Sequence, residues 1–116
     1  VVVPLSQIAT LVDRLAAHEA RHGVEIFAFG HAGDGNIHLN ITSQHPDHQE
    51  QMDRVAEELL RLVLDLGGTI SGEHGIGLAK RPFLPLELAP HSIDLQRRIK
   101  ALFDPNQILN PGKIFP

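Results

Sequence analysis

A chain of 116 residues, 42% apolar and 21% charged, is long enough for one domain with its own core and needs no covalent staple. It has no cysteine, which excludes disulfides and thiolate metal sites and leaves His, Asp and Glu as metal ligands. A net charge of −4 argues against a nucleic-acid surface, no apolar run reaches membrane-spanning length, and no signal-peptide pattern opens the chain.

The opening VVVPLSQ, with Met52 as the single methionine, reads as an internal stretch of a longer protein. Val1–Val3 reads as the end of a leading strand. Pro4 to His22 follows as a helix, with Ile8, Leu11, Val12 and Leu15 on one buried face. Ser6 suits its cap, Arg21 and His22 suit its negative end, and Gly23 stops it. VEIFAF and NIHLNIT read as paired strands. Pro46 opens a second helix at the favoured first position, with an apolar stripe of Met52, Val55, Ala56, Leu59, Leu60 and Val63. Glu50–Arg54 and Glu57–Arg61 are spaced for surface ion pairs, and Gly67-Gly68 ends that helix. TIS follows as a short strand, which completes the order βαββαβ. The expected class is α+β, a ferredoxin-like antiparallel sheet with helices on one face. After residue 75, four prolines between Pro82 and Pro105 surround a helix expected at about 92–103. The tail FDPNQILNPGKIFP is turn-rich yet apolar, as a docking segment is.

Eight histidines are many for this length. His18, His22, His45, His48 and His91 stand in polar or helix-end contexts and read as solvated surface residues. His31, His38 and His74 stand among glycines. If Asp34-Gly35 forms a two-residue type I′ loop, positions summing to 69 face each other, and His31 lies opposite His38. Ile26, Ala28, Leu39 and Ile41 then share the other, apolar face. Two imidazoles on one face need a third ligand to hold a divalent ion, and Glu73 in GGTISGEHGIG is the best candidate. A carboxylate buried in that loop would need such a partner. His74 adjoins it, and adjacent side chains seldom reach one atom, so His74 suits a general base beside the metal. A bland alternative for Glu73-His74 is a solvated loop.

GHAGDGNIHLN, SGEHGIG and FDPNQILNPGK together resemble the C-terminal domain of FAD-linked oxidases and dehydrogenases of D-2-hydroxy acids. That group includes D-lactate dehydrogenases, the glycolate oxidase catalytic subunit and D-2-hydroxyglutarate dehydrogenase. The resemblance covers residues 1–116 as one substrate-cap domain and implies an N-terminal FAD-binding domain that this chain lacks. It implies a divalent metal on His31, His38 and Glu73, with zinc ahead of manganese or iron. His74 matches the base, which also contacts substrate, and Asn40 matches a substrate-contacting asparagine. The segment Asn110 to Lys113 would return toward the flavin, which makes Asn110 a cofactor-contact candidate.

The implied reaction oxidises a 2-hydroxy acid to the 2-oxo acid with hydride passing to FAD, and the chain by itself is expected to be inactive. The HLN after the turn leans toward the D-lactate or D-2-hydroxyglutarate branch over glycolate. The implied partners are a small 2-hydroxy acid, the chain's own FAD-binding domain and an electron acceptor outside this sequence; a homodimer stays open. The expected location is the cytoplasm, with peripheral membrane association open for the full-length enzyme. Two other classes compete: a stand-alone metal-dependent hydrolase using the same three ligands, and a non-enzymatic ferredoxin-like dimerisation or ligand-sensing module. Ester hydrolysis by the metal-loaded chain would favour the first; a metal-free dimer through the sheet face would favour the second.

Overall fold

The computed structural model describes residues 1–43 and 49–116. The chain is α+β, with four α-helices and a two-stranded antiparallel sheet among the described residues. It divides into two compact units, Val1–Gly72 and Glu73–Pro116.

In the first unit a 3₁₀ turn, Leu5–Gln7, leads into helix α1, Ile8–His22. Gly23 ends α1 in the left-handed conformation, φ 63°, and its N–H donates to the Glu19 carbonyl. Ser6 does not cap the helix: it lies inside the 3₁₀ turn, and no side chain caps α1. Strand β1, Glu25–His31, pairs with strand β2, Asn36–Thr42. Helix α2 runs Gln49–Asp65; Pro46, His45 and His48 lie outside the described residues. Of the two spaced ion pairs on α2, Arg61 meets Glu57 at 2.7 Å, while Arg54 donates to the Glu50 backbone carbonyl.

The core is Leu11 and Leu15 of α1, Ile26 and Ile37 of the sheet, and Val55, Leu59, Leu62 and Val63 of α2, closed by Val3 and Val24. Leu39, Ile41 and Ile8 pack against it, so both helices cover one face of the sheet. Val12 departs from expectation and is 46% exposed, because the buried stripe of α1 narrows to Leu11 and Leu15. The leading segment also pairs. Val2 makes antiparallel bridges to both Asn36 and Thr69, the second through Val2 N–H to the Thr69 carbonyl (3.0 Å) and its return bond (2.9 Å). Leu59 is 2% exposed at the centre of this core. Leu59→Ala should therefore cost about 2–5 kcal/mol of stability in chemical denaturation. A loss under about 1 kcal/mol would mean the helix does not seat there.

In the second unit a 3₁₀ turn, Arg81–Phe83, runs into a one-turn helix α3, Leu84–Glu87, and then α4, Pro90–Phe103. Pro90 occupies the first turn of α4, so the helix starts slightly ahead of the expected position. The tail folds back on buried Asp104, whose carboxylate accepts from the Ile108 and Leu109 N–H groups at 3.0 and 3.1 Å and pairs with the Lys100 ammonium. Ile114 N–H reaches the Gly77 carbonyl at 2.8 Å, and the Arg97 guanidinium lies over the Phe115 ring at 5.7 Å. Burial pulls the Lys80 ammonium below its usual range, and Glu87 opposes that in part. No helix among the described residues is long and apolar enough to cross a membrane.

Candidate metal and substrate site

Strand alternation puts successive side chains on opposite faces. Ile26, Ile37, Leu39 and Ile41 turn toward the helices, and Phe27, Phe29, His31, His38 and Asn40 share the other face. The observed register differs from the two-residue loop. His31 faces Asn36, Phe29 faces His38, and Phe27 faces Asn40. A slip of one residue would exchange the faces; this slip of two keeps them. His31 and His38 thus become diagonal neighbours instead of direct opposites. Their rings still meet edge to face, centroids 6.5 Å apart, and the His38 ring stacks on Phe29 at 5.1 Å.

The wider loop has a physical cause. Ala32–Asp34 forms a 3₁₀ turn, and Gly35 closes it at φ 69°. Gly35 is held by the leading segment: Val3 N–H donates to its carbonyl at 3.0 Å, and the Val3 carbonyl occupies the space a Cβ at position 35 would need. Pairing with Val3 removes Gly35 from the tight turn that Asp-Gly favours.

His31 and Asn40 are exposed and His38 is half-buried. Glu73 and His74 open the second unit, with Glu73 Oε1 and His74 Nε2 3.5 Å apart. Both side chains are well exposed, so the reason offered for a partner, a buried carboxylate, does not hold for Glu73. Asn110 stands in a tail turn at φ 45°, in a polar hollow shared with Arg97, Lys100 and Lys113.

Two residues taken as solvated are not. His18 and His22 have side chains only 16% and 17% exposed, and both point at Glu58 of α2. His22 Nε2 is hydrogen-bonded to Glu58 Oε2 at 2.9 Å. That bond holds the Glu58 carboxyl below its usual range; partial burial opposes the shift, and the charges of His22, His18 and Arg21 reinforce it. The signal available in the sequence was the four-residue spacing of the two histidines on a helix.

Residues 1–114 match the family model described as FAD linked oxidases, C-terminal domain, and the chain belongs to that family. It is 43% identical over 115 residues to the glycolate oxidase subunit GlcD of Bacillus subtilis, covering 97% of this chain and 24% of the relative. It is 45% identical over 116 residues to a D-lactate dehydrogenase of Archaeoglobus fulgidus, covering 97% and 25%. It is 43% identical over 97 residues to a D-2-hydroxyglutarate dehydrogenase of Stutzerimonas stutzeri, covering 78% and 20%. The chain spans about a quarter or less of the length of these relatives.

Proposed function

We propose that the chain is the substrate- and metal-holding part of a flavin-dependent dehydrogenase that oxidises a D-2-hydroxy acid, of D-lactate or D-2-hydroxyglutarate type, to the 2-oxo acid. The observation that carries this is one exposed sheet face bearing His31, His38 and Asn40 in a chain of the FAD-linked oxidase family. Glycolate, D-lactate and D-2-hydroxyglutarate enzymes stand at similar identity, so overall identity does not choose among the substrates.

His31, His38 and Glu73 would hold a divalent metal, zinc ahead of manganese or iron, since two imidazoles and a carboxylate suit all three. Two features of the first unit support that set. The two imidazoles are neighbours on one face. Gly72 packs so closely on the Asn36 side chain that a Cβ there would come within 2.9 Å of its Oδ1, and Asn36 is the register partner of His31. The chain therefore leaves for Glu73 from a point beside the hairpin. Bound metal would supply Lewis acidity to the substrate hydroxyl, and FAD on the N-terminal domain would supply the hydride acceptor.

The remaining tasks belong to this chain. His74 takes the hydroxyl proton on a ring nitrogen as C2 is oxidised. The Asn40 amide N–H donates to the substrate carboxylate and orients it. Phe27 and Phe29, both more than half exposed on the same face, are covered by the FAD-binding domain and keep water from the reacting carbon. Asn110, in the tail, contacts the flavin side. The bridges from Val2 to Asn36 and Thr69 support a ferredoxin-like sheet in which two short strands extend the hairpin beyond β2.

The test uses the full-length flavoprotein under anaerobic conditions. D-lactate or D-2-hydroxyglutarate should bleach its yellow flavin absorbance, and the L enantiomers should not. Flavin that stays oxidised with these acids and with glycolate would remove the reading.

A further inference from the structure

The second His-His-Glu cluster lies on the other side of the sheet. His18 and His22 sit one turn apart on α1, and Glu58 approaches them from α2. His18 Nδ1 and His22 Nε2 lie 3.3 and 2.9 Å from the same oxygen, Glu58 Oε2. The two imidazoles are parallel within 10°, centroids 6.2 Å apart, and the potential ligand atoms fall within 4.8 Å of one another. His18 Nδ1 is buried and has no hydrogen-bond partner: Glu58 Oε2 is near enough but badly aligned.

A buried imidazole nitrogen without a partner costs free energy that a bound ion would recover. Tetrahedral coordination at about 2.0–2.1 Å spaces its ligand atoms roughly 3.3 Å apart, close to the spacings here. Two nitrogens and one carboxylate oxygen suit a borderline divalent ion of the zinc, cobalt or nickel kind. Arg21 is the competing cation, with Nη1 3.9 Å from Glu58 Oε2, but its side chain is 69% exposed and free to swing into water at little cost. Glu58 is 39% exposed, which leaves a solvent-facing side for a water ligand.

We propose that His18, His22 and Glu58 form a second divalent-metal site, separate from the hairpin site, that ties α1 to α2. Its role is structural, since it lies among the helices behind the sheet and not on the face bearing His31 and His38.

The test uses the full chain carrying His31→Ala and His38→Ala, so that the hairpin histidines do not compete. Co²⁺ should bind with one-to-one stoichiometry and give the visible absorption of a tetrahedral site, and Zn²⁺ should bleach it. Zn²⁺ at roughly a hundredfold its Kd should raise Tm by about 10 °C. Adding His18→Gln should abolish both effects. If that variant fails to fold by circular dichroism, Glu58→Gln, on the more exposed partner, takes its place. Absence of cobalt absorption and of a Tm shift in the His31→Ala, His38→Ala chain would overturn the site. So would cobalt absorption that survives His18→Gln or Glu58→Gln.

Discussion

If the proposed hairpin site holds a divalent ion, replacing His31 and His38 together by alanine should remove that ion, leave the one at His18, His22 and Glu58 in place, and lower the full-length protein's turnover by about 10³-fold. The rate follows from several kcal/mol of charge stabilisation lost with the ion. The fold should survive, because His31 is exposed and His38 is half-buried against Phe29. Surface changes of that kind usually move stability by about 1 kcal/mol or less. His74→Gln is the informative contrast. As a base it should keep the metal and lose about 10²–10⁴ in turnover. Metal analysis of the parent and both variants decides the assignment. Equal metal in the parent and the double variant would sink the ligand set, and metal loss in His74→Gln would make His74 a ligand instead of a base.

A large stability effect is also expected at Gly35. Three costs coincide there. The backbone has φ 69°, which an alanine adopts only with strain of about 1 kcal/mol or more. The new Cβ would meet the Val3 carbonyl, a backbone group that cannot rotate away as a side chain could. Relief by movement would stretch the 3.0 Å bond from Val3 N–H to the Gly35 carbonyl. Gly35→Ala should therefore destabilise the chain by about 3 kcal/mol in chemical denaturation. Gly33→Ala is the control two residues away, since a Cβ there has no neighbour within 4 Å and no positive φ stands against it. It should change stability by about 0.5 kcal/mol or less. Equal small effects at both positions would show that the leading segment does not clamp the loop.

What could be read from the sequence was set by local pattern. The α1 and α2 stripes follow helical spacing, and Gly23 stops α1 as glycine does at a helix end. The two faces of the hairpin were legible because alternation does not depend on loop length. The register was not, because Asp34-Gly35 signals a tight turn and only a tertiary contact, Val3 on Gly35, overrides it. Ser6 misled for a related reason: the chain tightens into a 3₁₀ turn before α1 starts, which moves the helix start beyond it. His18 and His22 were misplaced because their environment comes from Glu58 on another helix. No window along α1 contains that residue.

The double pairing of Val2 has a consequence for how the chain assembles. Val2 bridges to Asn36 and to Thr69, one on each side. The leading segment therefore closes a ring of contacts with stretches far along the chain, and those partners exist only once the hairpin and the end of α2 are formed. Such non-local closure slows folding relative to a simple helical bundle. During synthesis Val1–Val3 would wait for Thr69 before their sheet pairing is complete. Until then the two edges they later join stay open to pairing with other chains.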